Sequence, residues 1–207
     1  MTAADRESGP SRQGMWDERH AARDPIESSE PDPTLVEEMG PVPPGRTLDL
    51  GTGDGRNAVW LATRGWDVTA VDFSRVGLER ARVLADHAGV DVEWVLADLL
   101  AWTPQPRAFD LVCLFFIHLP PAERRVVYER AADGVALGGT LLIVGHERSN
   151  LGRGTSGPQD PTLLFTAGEV AADLAGFTIV REGTVRREVG ADRVAIRAVM
   201  RALRRGA

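Results

Sequence analysis

Leu48-Asp49-Leu50-Gly51-Thr52-Gly53-Asp54-Gly55 is a short apolar run that breaks into three alternating glycines. Residues 46–50 read as a buried strand. Residues 56–64 read as a helix with Ala58, Leu61 and Ala62 on one face. Glycines between a strand and a helix let the backbone turn sharply and approach a ligand with no Cβ in the way. A Gly-x-Gly pair is a weak motif alone and gains meaning from that strand–turn–helix setting. Dinucleotide-binding turns place the third glycine three positions after the second; here it comes two positions after. Asp49, two residues before Gly51, would repel a pyrophosphate and suits a ligand that carries an ammonium group.

The units on either side repeat the strand–helix pattern. Residues 67–71 form a second strand ending at Asp72, and Ser74 is a candidate N-cap for a helix running to about His87. Residues 90–96 read as a third strand. Residues 109–117, the most apolar run, read as a central strand buried on both faces. A helix over residues 120–136 opens on two prolines and ends at Gly138-Gly139, ahead of a fifth strand at 140–144. After the Gly-rich loop 150–161, Thr166 caps a short helix through Ala175. Residues 177–189 and 193–203 read as a closing hairpin turning at Gly190-Ala191-Asp192. Such units predict an α/β fold, a parallel sheet with helices on both faces and an antiparallel edge. Ahead of them, residues 1–13 read as a flexible N-terminus, residues 14–44 as a helical cap or lid, and residues 45–207 as the main domain.

Ligands on such sheets sit beyond the carboxyl ends of the strands. Asp72 stands there, where an acid can accept both hydroxyl protons of a ribose, and Phe73 beside it can cover an adenine. Ala97-Asp98-Leu99 follows the third strand; Asp98 can accept from an adenine amino group and Leu99 can pack on the ring. Each acid alone could be an ordinary turn residue. Three at successive strand ends beside the glycine turn point to a nucleoside-type cofactor.

At these residues the sequence resembles the class I S-adenosylmethionine-dependent methyltransferases. The resemblance covers about residues 46–145, through the glycine turn, Val68-Thr69-Ala70-Val71-Asp72-Phe73-Ser74, Ala97-Asp98, Phe109-Asp110-Leu111-Val112 and Gly138-Gly139-Thr140-Leu141-Leu142-Ile143. It implies a Rossmann-like three-layer sandwich with a seven-stranded, mostly parallel sheet of order 3-2-1-4-5-7-6 and an antiparallel seventh strand. It also implies S-adenosylmethionine as cofactor, leaving as S-adenosylhomocysteine. The turn Gly51, Thr52, Gly53, Gly55 would hold the methionine part, Asp72 the ribose and Asp98 the adenine. The N-terminal Trp16-Asp17-Glu18-Arg19-His20 looks like the bacterial branch related to tellurite-resistance and thiopurine methyltransferases, which act on small heteroatom nucleophiles.

Methyl transfer is an in-line displacement with a neutral thioether leaving, so alignment and exclusion of water carry most of the catalysis. No metal is required, and a base is needed only if the acceptor must lose a proton. The segment Leu114-Phe115-Phe116-Ile117-His118 leaves the fourth strand beside the expected methyl group. Leu114 is expected to border the cofactor. His118 is a candidate base or orienting group, and otherwise a histidine that bonds backbone. His146 and Glu147, ending the fifth strand, are candidates on the acceptor side or simply strand-end residues. Trp16 and Arg19 would lie on the lid over the cofactor, or anchor a terminal helix. Phe165 would pack beneath the 150–161 loop. Cys113, inside an apolar strand, reads as a buried structural thiol, and His20 has no metal-ligand spacing.

Composition sets bounds. The chain has 207 residues, 43% of them hydrophobic, and a net charge of −6, against the basic excess of nucleic-acid surfaces. Every Lys/Arg cation is Arg; the absence of lysine excludes Schiff-base and Walker-type lysine chemistry. One cysteine allows no intrachain disulfide, and no run approaches the ~18 apolar residues of a membrane span. The N-terminus has no signal-peptide pattern. A cytoplasmic enzyme with a small-molecule acceptor, no nucleic acid and no membrane partner is expected. Three alternatives stay open from the residues: a nicotinamide-dependent oxidoreductase, a non-catalytic S-adenosylmethionine-binding protein, and a methyltransferase for nucleic acid or protein.

Overall fold

A computed structural model describes residues 11–22, 29–152, 154, 157–188 and 193–206. In chain order the elements are α1 (Arg12–Ala21), α2 (Pro33–Met39), β1 (Arg46–Leu50), α3 (Arg56–Thr63), β2 (Asp67–Asp72), α4 (Arg75–Ala88) and β3 (Glu93–Leu96). They continue with β4 (Phe109–Phe115), α5 (Pro121–Gly134), β5 (Val135–His146), α6 (Ala167–Ala172), β6 (Phe177–Glu188) and β7 (Val194–Arg204). The strands make one sheet of order β3-β2-β1-β4-β5-β7-β6. β1 to β5 run parallel and β7 runs antiparallel to both β5 and β6. The α/β class, the strand order and the antiparallel seventh strand agree with expectation. The hairpin turn at 190–192 and residues 1–10 lie outside the described residues.

Alternation along the strands gives the sheet two apolar faces. Leu48, Leu50, Val112, Leu114, Leu141 and Ile143 face α5 and α6, where Val127, Tyr128, Ala131 and Val170 cover them. Leu111, Cys113, Phe115, Leu142 and Val144 face α2 and α3, covered by Leu35, Met39, Ala58 and Leu61. At about 25 cal/mol per Å² of apolar surface, these two faces supply most of the folding free energy. α2 is also held by charge: Asp32 pairs with Arg197 at 2.8 Å, and Glu38 with Arg181 and Arg201.

Several boundaries depart from expectation: β4 ends at Phe115 and α6 at Ala172, each short of the expected end, and three more have a local cause. α5 does not run to Gly138-Gly139. It stops at Gly134, and β5 begins at Val135, which is fully buried and pairs with Phe109. The register shifts between Phe109 and Leu111, and Gly138 sits at φ 78° inside that irregularity. The two glycines therefore serve a bulge in a strand rather than a helix stop. β3 starts at Glu93 rather than at residue 90, because Gly89 caps α4 in the left-handed region and Val90 N–H bonds back to Ala85 O at 3.1 Å. α1 begins at Arg12, capped by Ser11, inside the stretch expected to be flexible.

Candidate functional site

The turn after β1 is fastened to β2. Gly51 and Thr52 N–H both bond to Val71 O, at 2.8 and 3.1 Å. Gly51, Gly53 and Gly55 have φ of 72°, 59° and 79°, which only glycine adopts without strain. A Cβ on Gly51 would lie 2.0 Å from Ile117 Cδ1, and one on Gly53 would lie 3.1 Å from His20 Cε1. The bare backbone thus forms a cradle, with Ile117 on one side and His20 on the other.

Asp72 is buried. Its Oδ2 accepts from Gly53 N–H at 2.8 Å and its Oδ1 from Ser74 N–H at 2.8 Å. These bonds fix the carboxylate at the lip of the cradle, and each oxygen keeps a further lone pair for a ribose hydroxyl. Burial raises its pKa, partly offset by the two backbone donors. Phe73 follows, half-buried. Ala97 N–H bonds to Asp72 O at 2.9 Å, which sets the end of β3 beside β2. Asp98 is exposed, with Oδ1 accepting from Leu100 N–H at 2.9 Å and its other oxygen available; Leu99 is buried next to Ile117 on the core.

Asp49 differs from the expected ammonium seat. It is only 1% exposed, with Oδ2 accepting from Thr52 Oγ1 at 2.7 Å and Oδ1 from Cys113 Sγ at 3.4 Å. Burial raises its pKa to about 6. Both carboxyl oxygens are thus bonded beneath the turn, to Thr52 and to Cys113. Cys113 is the buried thiol expected. Leu114 is fully enclosed in the core and offers the cleft no side-chain surface.

α1 reaches this site with Asp17 and His20, to which the sequence assigned no role there. Asp17 accepts from Ser74 Oγ, and His20 stands over Gly53, near enough to act electrostatically on Asp72. At its other end Arg12 pairs with Glu123 of α5 at 2.8 Å. Trp16 lies beside His20, ring centroids 5.8 Å apart, and Arg19 covers Trp16 at 4.9 Å. Trp16 and Arg19 therefore back the contact that His20 makes.

The acceptor-side residues collect at the ends of β4 and β5. His118 Nδ1 lies 3.1 Å from Leu163 O and its Nε2 lies 3.5 Å from His146 N, so the ring bonds backbone at both nitrogens. His118 and His146 stack at 5.3 Å, and Phe116 approaches His146 at 5.2 Å. Burial lowers the pKa of both histidines to about 4, so both are neutral at pH 7. Phe165 is buried under His118 and beside Tyr128. Glu147 is taken up locally, bonded to Ser149 N–H at 2.7 Å. Phe116 is one of two described non-glycine residues with positive φ, at 58°, a strained backbone of the kind found at functional sites. Arg197 was missed: it covers the Phe116 ring at 5.1 Å, and only the fold brings β7 there.

Residues 47–139 match a family model described as a methyltransferase domain. Over those residues the chain is similar to methyltransferase domains. Among the relatives of this chain, the 2-heptyl-1-hydroxyquinolin-4(1H)-one methyltransferase of Mycobacteroides abscessus is 29% identical over 138 residues, 65% of this chain and 60% of the relative. The chain spans between 32% and 60% of the length of the curated relatives it matches first. Two solved structures share the methyltransferase fold. The N-methyltransferase NodS from Bradyrhizobium japonicum WM9, in complex with S-adenosyl-l-homocysteine, superposes with a TM-score of 0.70 at 18% identity, covering 92% of this chain and 98% of NodS. TehB from Haemophilus influenzae superposes at 0.70 and 20% identity, covering 84% of this chain and 62% of TehB. Among the described residues, no helix is long and apolar enough to cross a membrane.

Proposed function

We propose that this protein transfers the methyl group of S-adenosylmethionine to a small-molecule acceptor in the cytoplasm. The single observation that carries the reading is the bare glycine cradle with Asp72 fixed at its lip by Gly53 and Ser74. Bound there, the cofactor would supply an electrophilic methyl on a sulfonium. Gly51, Thr52, Gly53 and Gly55 would line its methionine part, Asp72 would accept the ribose hydroxyls, and Phe73, Ala97, Asp98 and Leu99 would surround the adenine. Asp49 would favour the cation from beneath the turn. α1 and α2 would form the cap, with Trp16, Arg19 and His20 closing the cleft against solvent.

The acceptor would lie over β4 and β5, against Phe116, His118 and His146. The small-molecule assignment takes support from the acidic chain and from the named activity of the Mycobacteroides relative. Thermal shift tests the cofactor: S-adenosylhomocysteine should raise the melting temperature and NAD should not. Stabilisation by NAD alone would overturn the assignment. A mass-spectrometric screen with thiols, selenium and tellurium oxyanions, phenols and amines tests the activity. Tight cofactor binding without any methylated product would favour a non-catalytic binding protein.

A further inference from the structure

His146 on β5 and Arg197 on β7 are direct partners in the antiparallel register. Side chains of opposed residues share a face of the sheet, here the face covered by α2 and α3. His146 is 9% exposed, and its Nδ1 has no hydrogen-bond partner among the described residues. Arg197 has one guanidinium nitrogen, Nη1, fixed by Asp32 at 2.8 Å, while its buried Nε is likewise unpartnered. Two unpartnered buried polar atoms on facing residues are costly, about 1–3 kcal/mol each, and native interiors rarely keep them without a use.

Their surroundings specify what would fill the gap. The half-buried Phe116 ring lies 5.2 Å from the His146 ring and 5.1 Å from the Arg197 guanidinium. A flat ligand can stack on it. Gly157 closes one side of the subsite: its backbone packs on the imidazole so closely that a Cβ there would lie 2.5 Å from His146 Cδ2. Arg56, first residue of α3, acts electrostatically on both Asp49 and Arg197, so this cluster adjoins the glycine turn. β5 lies two strands from β1, about 10 Å at the usual strand spacing. His118, with both nitrogens on backbone, holds the His146 ring in place.

We infer that His146, Arg197 and Phe116 form the acceptor subsite, and that its ligand is a flat ring bearing an ionisable hydroxyl of the phenol or enol type. The inference rests on the methyltransferase reading. The ring stacks on Phe116. The hydroxyl donates to His146 Nδ1, and the guanidinium of Arg197 faces the oxygen as it becomes an oxyanion. In the transfer the acceptor oxygen forms a bond to the methyl carbon. The carbon–sulfur bond breaks with its electron pair going to sulfur, and the hydroxyl proton passes to His146 Nδ1 and then to water. An amine or thioether acceptor needs no fixed cation at this point and would be disfavoured by Arg197.

The test uses 4-nitrophenol, whose ionised form is yellow, with full-length protein saturated in S-adenosylhomocysteine, at a pH one unit below the ionisation of the free phenol. Wild type should bind the probe and turn it yellow. Arg197→Lys keeps the charge beside Asp32 but loses the planar fork, and should weaken probe binding at least tenfold. His146→Leu should abolish the colour. Calorimetry should find S-adenosylhomocysteine affinity within twofold of wild type in both variants, which separates a lost subsite from a lost fold. Probe bound as the neutral phenol, equal binding in all three proteins, or turnover of aniline or thioanisole in preference to 4-nitrophenol would overturn the inference. Failure of wild type to bind S-adenosylhomocysteine would overturn the methyltransferase reading first and this one with it.

Discussion

Asp17 of α1 accepts a hydrogen bond from the hydroxyl of Ser74, which in turn caps α4 by accepting from Gly77 N–H at 3.0 Å. One hydroxyl thus ends a helix and fastens the cap across the cleft. Replacing an N-cap serine by alanine costs about 1 kcal/mol. Ser74→Ala should lower stability by about that amount and also release α1. Hydrogen exchange should then speed up through residues 12–21, and S-adenosylhomocysteine affinity should fall severalfold. Unchanged exchange in α1 would mean that the Arg12–Glu123 contact alone holds it.

Asp72 carries two backbone bonds besides its proposed ribose contact. Asp72→Ala should cost about 1–3 kcal/mol of stability, since Gly53 and Ser74 N–H lose their acceptor. It should also lower S-adenosylhomocysteine affinity at least tenfold in calorimetry. Full affinity in a destabilised variant would remove the ribose role and leave a structural one.

Gly55 opens α3 at φ 79°, and a Cβ there would lie 2.5 Å from Ala81 Cβ and 2.9 Å from Trp94. Gly55→Ala should therefore lose stability by at least about 2 kcal/mol through clash and backbone strain. In a domain of this size that is a fall of roughly 4–8 °C in thermal melting. A smaller shift would mean that α3 and α4 can separate.

The acid-side pH dependence of stability follows from buried histidines and carboxyls. His118 and His146 are lowered from 6.5 to about 4 in the folded protein. Between those values the unfolded chain binds more protons, so their contribution is complete above pH 6.5 and is lost as the pH falls towards 4. Asp49 is raised from 3.8 to about 6, so its contribution is complete below 3.8 and is lost as the pH rises through 6. Burial raises Asp72 as well, so both carboxyls offset part of the acid loss that the histidines bring. Urea unfolding between pH 4.5 and 7.5 measures the balance. Asp49→Asn removes one opposing group and should steepen the fall in stability towards acid.

The fold was legible where its causes are local. The bounds of β1 and the cap at Ser74 follow from runs and cap residues a few positions apart. The gathering of the glycine turn, Asp72 and Asp98 at one edge of the sheet was legible, because all three follow the carboxyl ends of neighbouring parallel strands. Gly138-Gly139 misled because a helix stop and a strand bulge use the same residues, and only pairing with β4 tells them apart. Leu114 and Asp49 were assigned to the ligand by their place along a strand, which does not say which way a side chain turns. Arg197, Asp17 and His20 were not legible. Their partners lie far along the chain, and no spacing or composition marks a contact made across the sheet.

The ties between α2 and the last two strands bear on the order in which the chain can be completed. Asp32 waits for Arg197, and Glu38 for Arg181 and Arg201; the first of these pairs is separated by 165 residues. During synthesis, when domains fold as units from the N-terminal side, β1 to β4 can assemble while those carboxylates still stand in water. Only the arrival of β7 brings Arg197 and Arg201, and docks β6 with its Arg181 onto the sheet, so that α2 can close over it. A fragment ending before Val194 would retain the glycine turn, Asp72 and Asp98, yet leave two acids on α2 without their β7 counter-ions. The strand that completes the sheet over α2 is thus the described element furthest in sequence from the glycine turn, and a nascent chain closes α2 only once β7 has emerged.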